Sequence, residues 1–472
     1  MTMTMPTRSI AVLPGYEAQL AESGVKHSVA KLSAAASALQ DQLACSTLDQ
    51  SVDICQAPCS REEETLSYRC RVTFQLLCSG RSDGAWEYAM RTNREAVSIG
   101  CSHFPIATLR IQEAQTKLLQ LFNGDGNANE LTTLLSARPA SISFASSWAD
   151  DKDLTVTINY TDRLPEQSSV GESKWLSEAD GVRRQCRLTS LTGRSRKRKL
   201  VSHDDKGIDD GTIMIRDAIT ICCNKADRSV IDIIVGDRQP AHEGDIAVQY
   251  AKPEDAFQHP NGNAMKMALK WTLNRIALIS NESDDGIGLL EMYCGCGAHT
   301  VPIAKVCSQI SYLACVEIDE RLIMACQKNL QLNQIDAEFR RSSEEIEAKT
   351  RSGGLVVQLF RGDAGEWAKK SRHQVHSKKK AEEGCKTTTT WYGRDYSVLL
   401  VDPPRAGLSA DVCRMAIEGS FQHLIYISCG KEALVRDIAM LDGVFEIADC
   451  TLIDLFPRTD AVESLVHLRR CK

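Results

Sequence analysis

Residues 398–429 read VLLVDPPRAGLSADVCRMAIEGSFQHLIYISC. Two apolar runs stand out, Val398–Val401 and Leu424–Ile427. The first breaks at Asp402-Pro403-Pro404-Arg405 and the second at Ser428-Cys429-Gly430. Short runs with no polar face are the pattern of strands buried on both sides in a parallel sheet. Ligands in such sheets sit just beyond the carboxyl ends of the strands. Asp402 and Cys429 are therefore expected on one rim, facing one cleft, with Cys429 a candidate nucleophile.

The strand–helix alternation extends outward from this stretch. Asn261-Gly262-Asn263 marks a turn, and the spacing predicts a helix over 264–280, a strand over 287–293, a helix over 299–307, a strand over 311–317, a helix over 319–334 and a strand over 355–360. Further strands are expected over 446–455 and 462–468. Alternation of this kind means a doubly wound parallel α/β sheet. Residues 368–394, with Lys378-Lys379-Lys380 and four consecutive threonines, carry no such pattern and read as a loop inserted into the domain.

The first half reads differently. A helix is expected over 16–50, strands over 66–78, 84–91, 94–101, 139–145 and 153–160, and helix again over 106–135. In the strand over 153–160, Leu154, Val156, Ile158 and Tyr160 share one face. The expectation is a mixed, mainly antiparallel α+β domain over residues 1–245, with the polar stretch 204–246 as the link to a second domain over 246–472. The segment Gly193–Lys199 holds five cations in seven positions. It is either a solvated loop or a phosphate-contacting patch.

Length and composition agree with two domains. A chain of 472 residues is too long for one core. Its 43% hydrophobic and 25% charged residues are those of a globular protein, and a net charge of −6 excludes a polycation, so nucleic acid would have to meet a local basic patch. The 19 cysteines are scattered through apolar runs, which favours reduced thiols. No apolar run is long enough to span a membrane. Residues 1–16 carry only Arg8 as a cation, fewer than a mitochondrial presequence would, so the cytoplasm is the expected compartment.

A second motif strengthens the α/β reading. Leu289-Leu290-Glu291-Met292-Tyr293-Cys294-Gly295-Cys296-Gly297 is a strand running into a glycine turn that opens a helix. Glycines let the backbone approach a ligand, and the helix start offers free N–H groups. Glu317 closes the next strand, about 20 residues on, where an acid accepts bonds from ribose hydroxyls. Ala298 and His299 follow where a dinucleotide turn would have its third glycine, so S-adenosylmethionine (AdoMet) is favoured over NAD. Asp363, at the end of the next strand, is either a further ligand contact or a helix cap.

The chain resembles the tRNA (uracil-5-)-methyltransferase family of the bacterial TrmA type. The resemblance runs from Tyr16–Glu22 through Tyr68-Arg69-Cys70-Arg71, Ser102-His103-Phe104-Pro105, Gly193–Lys199 and Phe257–Asn261 to Leu290–Gly297, Val401–Leu408 and Tyr426–Cys429. It implies an AdoMet-dependent, Rossmann-like methyltransferase domain behind an RNA-binding domain, acting as a monomer without metal on the T-loop uridine 54 of tRNA. Cys429 would add to carbon 6 of uracil, making carbon 5 nucleophilic, and Glu463 would then remove the carbon-5 proton. The target uridine would leave its stack to reach the cleft. His259, Tyr293, Glu317 and Asp402 match cofactor-side positions. Tyr68, Arg71, Phe104, Arg194, Lys197 and Arg405 would meet the RNA. Independently of the resemblance, Arg405 and Lys431 are the cations expected to lower the pKa of the Cys429 thiol.

Four positions depart from the family pattern. His259 stands for the usual Gln, Ala298 for Asn, Gly430-Lys431 for Asn-Pro, and Ala461 for a His two residues before the base. Two other readings compete: a ribosomal-RNA uracil-5-methyltransferase of the same superfamily, and an RNA-binding or RNA-folding protein without catalysis. The first often carries an iron–sulfur cluster, and Cys55 and Cys59 with Cys45, Cys70 and Cys78 do not complete its spacing. The second would be expected to have lost the cysteine or the glutamate.

Overall fold

Val398–Val401 and His423–Ser428 lie parallel and side by side in a computed structural model of the chain. The structure describes residues 23–45, 54–61, 66–78, 85–91, 95–100, 102–124, 131–149, 153–196, 198–204, 208–209, 212–224, 229–236, 242, 244–282, 286–341, 355–371 and 396–471. The sheet around this pair contains, among the described residues, nine strands: β1 (Ile54–Ala57), β2 (Ile287–Met292), β3 (Ile310–Glu317), β4 (Ala337–Arg341), β5 (Val356–Arg361), β6 (Val398–Val401), β7 (His423–Ser428), β8 (Phe445–Ile453) and β9 (Glu463–Arg470). Their order is β1-β8-β9-β7-β6-β2-β3-β5-β4. All pairs are parallel except those of β9, which runs antiparallel to both β7 and β8. The doubly wound α/β expectation holds, and every residue of β2 and β6 is buried, as continuous apolar runs require.

The register aligns the strand ends. Val401 pairs with Tyr426 and with Met292, and Met292 pairs with Val316. Asp402, Tyr293 and Glu317 therefore leave adjacent strands at one level. On the other side Ser428 pairs with Ser464 in the antiparallel ladder, so Cys429 and Glu463 are the next residues past the same rung.

The domain boundaries expected from sequence are corrected in two places. The helix Gly24–Cys45 (α1) belongs to the catalytic half, because Leu32, Ala36, Leu39 and Leu43 recur along one stripe and join the core with Leu290, Leu399, Tyr426 and Leu452. Strand β1 extends the same sheet by pairing with β8, Ile54 opposite Cys450. Of the helix expected over 16–50, residues 16–22 and 46–50 lie outside the described residues. The stretch 204–246 is not a bare link. Thr212–Cys223 pairs with Val230–Val235 and Ile246–Pro253 in a second, antiparallel sheet, with Ile208–Asp209 beside it. Ile219, Ile221, Val230 and Ile233 bury against Ala268, Leu269, Leu273 and Ile276 of the helix Gly262–Asn281 (α2). A cut at 245 would divide that sheet.

Residues 66–204 form the remaining unit. Among the described residues, its seven-stranded sheet runs Ala96–Ser98, Trp86–Arg91, Arg71–Cys78, Pro139–Ser146, Leu154–Tyr160, Ser190–Ser195 and Arg198–His203. It is antiparallel except between Leu154–Tyr160 and Ser190–Ser195, which the helix Val170–Gln185 connects. The helix expected over 106–135 is two, Leu109–Phe122 and Thr132–Ser136. The insertion expected over 368–394 begins later, since residues 364–371 are helical with Trp367 and Ala368 in the core; residues 372–395 lie outside the described residues. No helix among the described residues is long and apolar enough to cross a membrane.

Candidate active site

Cys429, Asp402, Tyr293 and Glu317 leave four neighbouring strands, β7, β6, β2 and β3, and Glu463 begins β9 beside Cys429. With strands about 4.8 Å apart, Cys429 and Glu317 are separated by three strand spacings, roughly 14 Å. One elongated ligand can therefore lie along the rim from the ribose-binding acid to the thiol.

Two turns build the thiol end. Ser428 Oγ accepts from the Gly430 N–H and donates to the Gly430 carbonyl, both at 3.2 Å, which folds the chain sharply after β7. The Arg405 carbonyl packs directly against Gly430 Cα, where a side chain would collide with it. That approach brings the 402–408 turn onto Cys429. The turn is fixed from behind by the buried Asp437, whose Oδ2 accepts from the Leu408 N–H and the Tyr426 hydroxyl, each at 2.7 Å.

The electrostatics differ from the expectation of an activated thiolate. Burial pushes the Cys429 thiol up from its ordinary value, Glu463 and Asp402 add to the rise, and a charge and hydrogen-bond contact with Arg405 opposes it. Of the two cations expected to lower it, Arg405 is the one that ranks among the largest influences. Asp402 is itself raised to about 7, first by loss of solvent and then by the Glu463 charge, with His259 pulling the other way. The thiol thus rests protonated within a cluster of proton-sharing groups.

His259 belongs to that cluster. Its Nε2 lies 3.4 Å from Glu463 Oε2, and its Nδ1 accepts from the Asn261 N–H at 3.2 Å. Burial works against the imidazolium, but the bond to Glu463 and its charge outweigh burial and lift the ring above the usual histidine value. The Trp148 indole N–H donates to the His259 carbonyl at 2.9 Å, and the Cys70 N–H to the Pro260 carbonyl at 2.9 Å. The N-terminal unit thereby holds the loop that carries His259. Asn261 caps α2, accepting from the Asn263 and Ala264 N–H groups, which is why the chain turns there.

At the other end, Glu317 Oε2 accepts from the Gly295 N–H at 3.0 Å and Oε1 from the Asp319 N–H at 2.8 Å. Each oxygen keeps a lone pair for a ribose hydroxyl. Burial raises this carboxyl, and bonds from the backbone of Asp319, Gly295 and Ile318 oppose the rise. Gly297, at φ +87°, packs so close to the Cys326 Sγ that a side chain would collide. Tyr293 begins the turn at φ +63°. His299 Nδ1 and both amide atoms of Gln258 are buried and have no hydrogen-bond partner among the described residues, as expected of a site shaped for a polar ligand. The Asp363 carboxylate accepts from the Glu366 N–H at 3.0 Å, the helix-cap reading of that residue. Among the described residues no cluster of His, Cys, Asp or Glu is arranged for a metal ion.

The residues expected to meet RNA divide. Arg405 is exposed beside Cys429. Phe104 is a correction: it is 2% exposed, set edge-on against Phe74 at 5.5 Å in the core of the N-terminal sheet, because an aromatic beside Ile106 gains more from burial than from a rim position. Tyr68 is 5% exposed and its hydroxyl donates to the Pro457 carbonyl at 3.0 Å. Arg71 turns inward to the Ala256 carbonyl. The basic segment is a hairpin, not a loop, and three of its cations are paired: Arg194 with Asp255 at 3.1 Å, Lys199 with Glu254 at 3.0 Å, and Arg198 with Glu172. Arg196 is exposed at the tip, and Lys197 lies outside the described residues. Sequence reasoning missed Lys31, whose ammonium is buried against Asp454. Its only sequence signal is a cation on the buried side of an otherwise apolar helical stripe.

The profile of the tRNA (Uracil-5-)-methyltransferase family matches residues 238–353 and 389–471. A tRNA/tmRNA (uracil-C(5))-methyltransferase of Ectopseudomonas mendocina (strain ymp) is 28% identical over 406 residues, 85% of this chain and 88% of its own. One of the same description from Azotobacter vinelandii is 32% identical over 243 residues, 50% of this chain and 57% of its own. The crystal structure of the Pyrococcus abyssi tRNA (uracil-54, C5)-methyltransferase with S-adenosyl-L-homocysteine superposes with a TM-score of 0.53 at 16% identity, covering 94% of this chain and 84% of that one, a likeness of fold.

Proposed function

We propose that the chain is a tRNA (uracil-5-)-methyltransferase, the family whose profile matches residues 238–353 and 389–471, and that it methylates carbon 5 of the T-loop uridine 54 of tRNA through a covalent adduct with Cys429. It is an AdoMet-dependent methyltransferase, and AdoMet when bound supplies the methyl group. Glu317, with the Gly295–Gly297 turn, would hold its ribose end. The observation that supports the reading is the Ser428–Ser464 register, past which Cys429 and Glu463 are the next residues on neighbouring strands at one end of the rim.

The residues suit the chemistry in order. Cys429 gives up its proton to water in the cavity it lines and its sulfur bonds to carbon 6, while the carbon 5–carbon 6 π pair moves through carbon 4 onto oxygen 4 as an enolate. Arg405, beside the thiol, stabilises the thiolate and the developing enolate. Carbon 5 takes the methyl group. Glu463 then accepts the carbon-5 proton, the double bond re-forms, and the carbon 6–sulfur bond breaks with the pair returning to Cys429. Burial and two neighbouring acids disfavour the thiolate in the free protein, so Cys429 stays a thiol until the uridine enters.

The test is 5-fluorouracil-substituted tRNA with AdoMet. Fluorine at carbon 5 cannot leave as a proton, so the adduct persists. A complex that survives denaturation and vanishes in Cys429→Ala is the expected result. Binding of ordinary tRNA without any such complex would instead favour an RNA-binding protein without catalysis. A complex with ribosomal RNA alone would move the substrate.

A further inference from the structure

Lys31 projects from α1 to a partner 423 positions away in sequence. Its Nζ donates to the Asp454 carboxylate and to the carbonyls of Phe456 at 3.2 Å and Ala461 at 3.1 Å, one acceptor for each ammonium hydrogen. The two side chains are 6% and 2% exposed. Burial draws the ammonium below the usual lysine value and Asp454 opposes that pull. An enclosed ion pair of this kind adds little net stability over an apolar pair, whereas it fixes geometry well. What it fixes is the irregular segment between β8 and β9, residues 454–462, which ends at Glu463.

Other elements hold the near part of that segment. Asn261 Nδ2 donates to the Leu455 carbonyl at 2.9 Å, Tyr68 to Pro457, and the Arg69 guanidinium lies 4.9 Å over the Phe456 ring. Lys31 alone among these reaches Ala461, two residues before Glu463. Its helix also walls a cavity of about 730 Å³ whose far side is lined by Cys429, Arg405 and Val462. Both the floor beside the nucleophile and the approach to the base are therefore set by α1.

We propose that Lys31 is a positioning residue for Glu463, so that the N-terminal helix, through the contacts of its ammonium with Asp454, Phe456 and Ala461, sets the direction from which the base meets the carbon-5 proton. This rests on Glu463 being the base. The consequence is specific to one step. Proton removal follows methyl transfer, so a misaligned Glu463 leaves adduct formation and methylation intact and stalls release of the enzyme from methylated RNA.

The experiment compares Lys31→Met, Lys31→Arg and Glu463→Gln with the wild-type full chain on unmodified tRNA transcript and AdoMet. Lys31→Met is expected to transfer methyl at the wild-type rate in a single turnover, to lose about tenfold or more in kcat, part of what a general base contributes, and to accumulate a methylated enzyme–RNA complex that survives denaturation. Lys31→Arg, which keeps the charge, restores part of the turnover. Wild-type turnover in Lys31→Met overturns the proposal. So does loss of AdoMet binding together with adduct formation, which would make Lys31 a fold-holding residue only. Glu463→Gln separates the failures: a trapped complex there but not in Lys31→Met rejects the role of Lys31 alone, and none in Glu463→Gln rejects the base and the proposal with it.

Discussion

His259 Nε2 stands 3.4 Å from Glu463 Oε2, and the Asn261 N–H donates to the other ring nitrogen. The second bond leaves the proton of the neutral ring on Nε2, and the charged ring carries one there too, so Nε2 is a donor to the carboxylate in either form. A hydrogen bond to a charged group contributes about 1.5–3 kcal/mol, which predicts a loss of about ten- to a hundredfold in kcat for His259→Ala. His259→Gln keeps a donor and should retain most of the activity. The sequence reading made His259 a cofactor contact, and the two roles part in steady-state kinetics. A base-orienting role lowers kcat, whereas a cofactor contact raises the KM for AdoMet.

Asp402 gives a prediction in pH. Its folded value of about 7 lies above the ordinary 3.8, so between the two the folded protein binds the extra proton. Stability contributed by that proton falls as pH rises from about 4 to 7, and the full penalty persists above 7. Asp402→Asn removes the penalty. Its melting temperature should exceed that of the wild type at pH 8, and the two should converge near pH 4. Melting curves across that range check this, and equal melting temperatures at pH 8 would contradict the raised carboxyl.

The sequence made the rim legible because each rim strand is a short apolar run closed by a chemically distinctive turn: Val398–Val401 before Asp402, Leu424–Ile427 before Cys429, Ala314–Val316 before Glu317. It did not reveal what α1 packs on. An apolar stripe such as Leu32, Ala36, Leu39 and Leu43 states that one face is buried, not against which partner. Strand β4, Ala-Glu-Phe-Arg-Arg, is an edge strand with too little apolar pattern to register. The thiol's surroundings were misjudged for a similar reason. Lys431 stands two residues from Cys429 in the chain, but burial raises the thiol first, and the Glu463 carboxylate that adds to it arrives from β9, more than thirty residues on, with Asp402 joining from the same turn as Arg405.

Tyr68 distinguishes anchoring from RNA contact. Its hydroxyl reaches Pro457 within the segment that leads to Glu463. Tyr68→Phe leaves a buried carbonyl unpaired, at a cost of about 1–3 kcal/mol. A lowered melting temperature with unchanged tRNA affinity is expected. A weaker tRNA Kd at unchanged stability would restore the substrate-contact reading.

The basic hairpin offers a contrast between paired and exposed cations. Arg194 is engaged with Asp255, whereas Arg196 is exposed at the tip. If the tip meets phosphate, Arg196→Ala should weaken tRNA binding and reduce the slope of log K against log salt by about 1. Arg194→Ala should change that slope less. Binding titrations at several salt concentrations measure both, and equal slopes for Arg196→Ala and the wild type would remove the tip from the interface.

Gly430 is where the two turns of the thiol end touch, and its substitution tests whether their contact matters for the nucleophile. A methyl group there would press on the Arg405 carbonyl, which has backbone on its far side and no flexible end to yield. Overpacking of this kind costs about 1–3 kcal/mol. The strain would be relieved by moving the 402–408 turn outward, because Ser428 pins Gly430 from the other side while Asp437 restrains only the turn's distal end at Leu408. Arg405 is the cation that opposes the rise of the Cys429 thiol, so its retreat leaves burial, Glu463 and Asp402 unopposed. Gly430→Ala is therefore expected to slow adduct formation with 5-fluorouracil tRNA and to shift the rate's dependence to higher pH, while AdoMet binding at the Glu317 end is retained. An unchanged pH profile would show that the Arg405 contact has no bearing on the thiol.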